Sequence, residues 1–347
     1  EGPNLLDDGA LAPWLEGNVP GFDELHEIRK FETGQSNPTY LITAESGRYV
    51  LRAKPPGELL KSAHQVDREY RVMKALSATA VPVPAVIALC EAENSPIDRM
   101  FFVMEFVEGR IFWDPALHEL VGNDANQLRG EIYDSMNAAM ASLHEVDINA
   151  VGLSDFGVPG NYYERQLGRW AKQYAASEID RNEDIHTLAD WLAQKMPPDD
   201  GEISLVHGDY RLDNLIFAKD SAEILGIIDW ELATLGHPLA DLAYQCMQWR
   251  LPHQGGFRGL GGIDRKALGL PEEKSYIEAY CKRRGLGKIE NWNFYLAFSF
   301  FRLAAILQGV YKRSLDGNAS NPELAASYGP AVPLLGQMAV EIISENE

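Results

Sequence analysis

The chain is short of cationic residues, of cysteine and of any repeat, and each shortage removes a class of protein. Lys and Arg number 31 against 51 Asp and Glu in 347 residues, a net charge of −20. A field of that sign opposes nucleic acid or an anionic membrane as a partner. It leaves two readings, a draw for cationic ligands or charge that serves solubility. The three cysteines, Cys90, Cys246 and Cys281, are far apart and form no CxxC spacing. They argue against a disulfide framework or a zinc cluster and are expected as core residues in a reducing compartment. No repeat and no low-complexity tract is present. The opening "EGPNLLDDGALAPWL" carries acids where a secretory leader would carry Lys or Arg, so a cytoplasmic location is expected. One long apolar run, Trp292–Ser314, is interrupted by Asn293, Ser299, Arg302 and Gln308. It is predicted to be a core helix rather than a membrane span.

What remains is an ordinary enzyme-like composition, 46% hydrophobic and 24% charged with mean hydropathy −0.23, and enough chain for two lobes. From about 25 to 54 the pattern alternates as strands do ("LHEIRKF", "TYLIT", "RYVLRA"), separated by turn formers. A helix is predicted from Glu58 to about Ala78, stopped by "VPVP". "AVIALC" and "MFFVMEFV" follow as buried strands. After Gly109 the texture turns helical, near 124–147, 162–177, 183–195, 238–249, 272–284, 291–313 and 323–345, with one more strand in "EILGIIDW". The expected architecture is α+β and bilobal: a small antiparallel lobe with one helix over 1–107, and a larger, mostly helical lobe over 108–347. The hinge is expected near 105–109, with a cleft between the lobes as the ligand site.

The stretch "LVHGDYRLDNLIF" (205–217) places His207, Asp209, Arg211, Asp213 and Asn214 in the turn between two apolar runs. Burying such groups without partners is costly, so they satisfy one another or hold something charged. A further acid, Asp229, ends the strand "ILGIID" fifteen residues after Asn214. An amide and a carboxylate at neighbouring strand ends suit magnesium, which takes one or two such oxygens and completes its octahedron with waters and phosphate. Asp209 is then left to act as a base toward a hydroxyl.

H-x-D-x-x-x-x-N followed by a metal-binding Asp is the arrangement protein kinases use. Here it reads His207-Gly208-Asp209 through Asn214, then Ile228-Asp229-Trp230-Glu231. With HGD for HRD and DWE for DFG, the chain resembles the aminoglycoside phosphotransferase and choline kinase branch of kinase-like folds. Across "HQVDREYRVMKAL", "FVMEFVEGR" and "IIDWELATLGHPLADLAY" it resembles the kinase-like domain fused to some acyl-CoA dehydrogenases and its free-standing bacterial relatives. The resemblance covers roughly residues 25–315.

That resemblance implies ATP and Mg²⁺ as cofactors, with Asp209 as the catalytic base, Arg211 reaching the transferred phosphoryl group, and Asn214 and Asp229 as metal ligands. Glu231 either assists through a water or is a surface acid. His207 is implied to be structural, and Asp241 a buried acceptor of N–H groups from the catalytic loop. Arg52 replaces the kinase lysine and would bind phosphates, with Glu69 as its partner and Lys54 as the alternative. "ETGQSNPTY" has one glycine where kinases have three; Gly34, Gln35, Ser36 and Asn37 either offer N–H groups to phosphates or form a plain turn. The Glu105 carbonyl and the Val107 N–H would face adenine. The hydroxyl-bearing substrate is a small molecule, either a hydroxyacyl-CoA or an aminoglycoside or other alcohol. A non-catalytic nucleotide-binding protein is the rival from another class. Tyr162, Tyr163, Trp170, Trp230, Trp249 and Tyr311 would line an acyl or ring pocket or lie in the core. "CKRRGLGK" (281–288) is either a basic patch for CoA or a solvated helix end.

Overall fold

The structure is a computed structural model and describes residues 6–32, 37–57, 65–319 and 321–345. In chain order its first elements are α1 (Asp8–Asn18), β1 (Leu25–Lys30), β2 (Thr39–Ala44), β3 (Gly47–Ala53), α2 (Val66–Leu76), β4 (Val86–Cys90) and β5 (Phe101–Glu105). Then come α3 (Ala125–His144), α4 (Tyr162–Ser177), α5 (Glu183–Lys195), β6 (Ser204–Val206), β7 (Leu215–Phe217), β8 (Ile224–Ile227) and β9 (Thr234–Gly236). The chain closes with α6 (Leu239–Arg250), α7 (Glu273–Arg284), α8 (Trp292–Leu315) and α9 (Pro322–Ser344). This is the α+β content expected. Of the helix predicted from Glu58, residues 58–64 lie outside the described residues, and the described part begins at Val66.

The chain divides into two compact units. One runs through Ile111 and takes in Val146–Ser154 and Leu212–Ala233; the other holds Phe112–Glu145, Asp155–Arg211 and the chain from Thr234 onward.

The first unit is built on an antiparallel sheet in the order β1-β2-β3-β5-β4. Side chains alternate across β3. Leu51 and Ala53 join a core with Ile42, Phe101 and Val103 beneath α1, where Trp14 meets Phe101 edge-on at 4.7 Å. Val50 and Arg52 face the other way, toward the α2 side. α1 was not anticipated: it carries Pro13 and buries only Leu11 and Leu15, which gives no readable period. The β7–β8 hairpin belongs to this unit because Arg110 exchanges two backbone hydrogen bonds with Phe217, both 2.8 Å. Gly109 permits that approach, since a Cβ there would lie 2.4 Å from the Phe217 carbonyl oxygen.

The second unit holds α3 to α9 and the short antiparallel β6–β9 pair, against which α3 packs. α8 is long and apolar enough to cross a membrane by length and composition, and 67% of its most apolar window is buried inside the protein. It packs against α9, α4 and α6, which makes it the core helix expected. Cys90, Cys246 and Cys281 are free and buried.

Candidate active site

In the first unit, β3 places Arg52 opposite Thr39 on β2 and Phe102 on β5. Its side chain is almost wholly buried and multiply bonded. Nε donates to Glu69 Oε2 at 2.8 Å, Nη1 to Thr39 Oγ1 at 3.0 Å and Nη2 to Asp229 Oδ1 at 2.8 Å. Glu231 lies 4.0 Å from the same guanidinium. Burial opposes the charge of Arg52, but Glu69 and Asp229 outweigh it and hold the pKa above the ordinary value. Burial likewise pushes the Glu69 carboxyl up, against the pull of Arg52. The Glu69 carboxylate therefore depends on its cation.

Asn214 and Asp229 stand at one end of the β7–β8 hairpin. Asn214 directly precedes β7, and the Ile228 N–H donates to its carbonyl at 3.0 Å, which extends the ladder to the residue before Asp229. Asp229 has φ +65°, a left-handed conformation costly for a residue with a Cβ. Trp230, buried, fixes the turn by donating Nε1–H to the Ile227 carbonyl at 2.8 Å. A cavity of about 200 Å³ opens within this unit, with Val50, Met104, Ile216 and Ile228 as apolar walls and Arg52 and Asp229 in its lining. Apolar walls suit a ring base, and the Arg52 guanidinium and Asp229 carboxylate in the lining suit phosphate and a hard cation; Asn214, directly before β7, is outside that lining.

The other residues expected on this side divide. Gly34, Gln35 and Ser36 lie outside the described residues. The Asn37 side chain is fully buried and donates to Glu69 Oε2 at 3.2 Å, so it orients the acid that holds Arg52. Glu105 is exposed; its Oε1 accepts from the Ala85 N–H at 2.9 Å, and Glu105 and Val107 both line the cavity. Lys54 lies just past the end of β3 and is half-buried.

In the second unit, the loop after β6 is held from several sides. Asp241, on α6 and fully buried, accepts the N–H of His207 at 2.9 Å and of Gly208 at 3.0 Å. Its Oδ2 also meets His144 Nε2 at 2.8 Å, and His144 Nδ1 lies 2.7 Å from the Tyr280 hydroxyl. Arg284 Nη1 donates to that hydroxyl at 2.7 Å. The consistent assignment is a neutral His144 that donates to Asp241 and accepts from Tyr280. Burial, the largest influence, lowers the pKa of His144. Burial would raise the Asp241 carboxyl, yet its bonds to His144 and to the Gly208 amide keep it below the usual range. Arg302 on α8 donates to the Gly208 carbonyl at 3.0 Å, and the Tyr210 hydroxyl to the Met136 carbonyl at 2.6 Å.

On this frame sits Asp209. Its Oδ1 accepts from the Tyr244 hydroxyl at 2.5 Å and lies 3.4 Å from Arg211 Nε. The Arg211 side chain is half exposed. Tyr210, Arg211 and Tyr244 line a cavity of about 240 Å³ with Leu251, Phe257 and Leu303. Among the described residues that line it, none carries a carboxylate.

Tyr244, His144 and Tyr280 were not singled out from the sequence, and Arg302 only as an interruption of the long apolar run. Tyr244 follows Asp241 by three residues, one helical turn, and that spacing was a usable signal. Of the six aromatics considered for a pocket, Trp170, Trp230 and Trp249 are buried in the core, while Tyr162 and Tyr163 line a separate cavity of about 220 Å³. In "CKRRGLGK", Arg283 bonds Asp134 and Asn137, and Arg284 bonds Glu145 and Tyr280. That segment acts as a helix end tied to its neighbours.

Residues 27–273 match the model of a family described as the phosphotransferase enzyme family, APH. Mouse acyl-CoA dehydrogenase family member 10 is 47% identical over 296 residues, which cover 85% of this chain and 27% of that protein. The chain thus spans about a quarter of that relative's length. A solved structure from Ralstonia eutropha, provisionally named an aminoglycoside phosphotransferase, is 46% identical with a TM-score of 0.86. The match covers 97% of this chain and 98% of that one. Spectinomycin phosphotransferase, solved with ADP and spectinomycin, shares the fold at a TM-score of 0.62 and 14% identity, over 98% of this chain and 99% of its own.

Proposed function

We propose, for a chain that belongs to the phosphotransferase enzyme family, that it moves the terminal phosphoryl group of ATP to a hydroxyl of a small molecule. One observation carries this reading. Asp209 is held by Tyr244 and Arg211 on a loop whose backbone Asp241 and Arg302 fix, beside a cavity that Arg211 and Tyr244 line.

In this reading Asp209 orients the acceptor hydroxyl and takes its proton. Tyr244 and Arg211 hold that carboxylate in direction, and Arg211 meets the phosphoryl group on its way to the acceptor. Arg52, fixed by Glu69 and Asn37, binds the nucleotide phosphates. The Glu105 carbonyl and Val107 N–H take the adenine edge. Asn214 and Asp229 would hold magnesium, whose positive charge would offset the charge that builds on the transferred group. Glu231 stays a candidate for assistance through a water. The catalytic and metal-binding positions Asp209, Asn214 and Asp229 are all occupied by suitable residues, which favours an enzyme over a non-catalytic nucleotide binder.

For the acceptor, the acid-free, largely apolar lining beside Arg211 favours an acyl-bearing alcohol over a polyamine, whose ammonium groups need carboxylates. The similarity to an acyl-CoA dehydrogenase family member points the same way, to a hydroxyacyl-CoA. Aminoglycosides are the second reading, supported by the net charge of −20 and the Ralstonia neighbour's name. The reaction would run in the cytoplasm without nucleic acid or membrane as partner.

The test is ADP release with Mg-ATP against β- and γ-hydroxyacyl-CoA thioesters and an aminoglycoside panel, with Asp209→Asn as blank. Turnover on the thioesters alone is expected. Turnover on aminoglycosides alone would replace the acyl reading.

A further inference from the structure

Away from these residues, the second unit carries a two-histidine, one-carboxylate cluster. Asp114, His118 and His253 each present one ligand atom, all within 4.8 Å of one another. We propose that it is a binding site for a borderline divalent cation of the zinc type. The inference stands independently of the phosphotransfer reading.

The carboxylate and the first histidine come from one tight turn. Asp114 Oδ1 accepts the Ala116 N–H at 2.9 Å, and Oδ2 accepts the His118 N–H at 3.0 Å. The same Oδ2 lies 2.8 Å from His118 Nδ1. Leu117, between them, is fully buried with φ +57°, a left-handed conformation that a residue with a branched side chain rarely adopts. Its neighbours enforce it. Arg129 donates to the Leu117 carbonyl at 3.0 Å and the Leu120 carbonyl at 2.7 Å, and the Tyr133 hydroxyl to the Pro115 carbonyl at 2.5 Å. A strained turn pinned by α3 holds two donors in register at the surface, which a simple cap does not require.

His253 arrives on a separate loop and meets His118 edge-on, ring centroids 5.3 Å apart. Its N–H donates to the Gly261 carbonyl at 2.9 Å, and its Nδ1 lies 3.0 Å from the Gly259 carbonyl. A carbonyl can only accept, so Nδ1 carries the proton and Nε2 keeps its lone pair. That is the outer bond metal-binding histidines make. Gly259 is required there, because a Cβ would lie 1.9 Å from the Leu251 carbonyl oxygen.

Two imidazoles and a carboxylate suit Zn²⁺ at bond lengths of about 2.0–2.2 Å, with water in the fourth place. For the ion to bond His118 Nδ1, the neutral ring changes tautomer: its proton passes to Nε2, and the Nδ1 lone pair and the Asp114 carboxylate are both left to the metal. Hard Mg²⁺ would gain little from two nitrogens. The loop that presents His253 also supplies Leu251, Gly256 and Phe257 to the cavity beside Arg211. Zinc would therefore fasten one wall of that cavity to the turn at Asp114.

The experiment is zinc titration of the full chain against a chromophoric chelator in excess Mg²⁺, which keeps hard-oxygen sites filled. The wild type, His253→Ala and His118→Gln are compared; His118 is half exposed, so His118→Gln keeps the fold. One zinc per chain is expected in the wild type, with affinity lowered more than about tenfold in both variants, since even an outer partner's loss reaches that scale. Cobalt should show visible bands of nitrogen coordination that both variants lose. Zinc affinity unchanged in folded His118→Gln, or no zinc retained by the wild type, would overturn the site.

Discussion

Arg52 and Asp229, 177 positions apart in the chain, are joined by a 2.8 Å bond from Nη2 to Oδ1, both side chains buried. The same guanidinium holds Glu69. One cation thus fixes the helix acid and the strained strand-end acid together, and it sets Asp229 in direction before any ligand arrives.

Removing that cation leaves two buried acids without their shared partner. Arg52→Ala is expected to lose about 3–5 kcal/mol of stability and to bind ATP weakly, read by denaturant melts and calorimetry. Arg52→Lys should recover part of the stability but not both bonds, because an ammonium lacks the guanidinium fork. Normal ATP affinity in Arg52→Ala would pass the phosphate role to Lys54.

Asp209→Asn should lower kcat by about 10²–10⁴ with nucleotide affinity nearly unchanged, measured by single-turnover transfer and nucleotide titration. Arg211→Ala should reduce kcat with little effect on ATP binding. An unchanged kcat would remove Arg211 from the mechanism.

Tyr244→Phe deletes the hydroxyl that directs Asp209 and keeps the ring that packs beside Arg302. A hydrogen bond to a charged acceptor is worth about 1.5–3 kcal/mol. A fall in kcat is expected, with the melting temperature and nucleotide affinity little changed. Wild-type kcat would confine Tyr244 to packing.

Stability should fall with acid through His144. Its folded pKa is depressed, so below the ordinary value near 6.5 the unfolded chain binds more protons than the native one. Stability is then lost as pH drops below that value. The carboxylate of Asp241, also depressed when folded, adds a further loss at lower pH. His144→Gln should be less stable at neutral pH and show a flatter melting temperature between about pH 7 and pH 5. An equal slope in both proteins would exclude His144 as the titrating group.

Much of the fold was legible because its signals are local. Alternation in β3 put Val50 and Arg52 on one face, proline bounded α2, and the long helical periods of α3 to α9 stood out. The His207–Asn214 spacing marked the loop, and the family resemblance carried by "GHPLADLAY" marked Asp241. Other features leave no local trace. His144 meets Asp241 from 97 positions away and Tyr280 from 136, and a lone histidine on an apolar face announces neither contact. β9 is three residues long, too short for a period. Arg302 read as an interruption of an apolar helix, and its purpose emerges only in the bond to Gly208. The turn at Asp114 was invisible because Leu117 has no conformational signature in its letter.

The most direct test follows labelled γ-phosphate from Mg-ATP onto a hydroxyacyl-CoA in wild type, Asp209→Asn and Asp229→Asn. A phosphorylated thioester is expected from the wild type and none above background from either variant, with Asp209→Asn still binding ATP. Transfer by Asp209→Asn at the wild-type rate, or ATP binding by the wild type with no transfer to any hydroxyl, would contradict the proposed reaction.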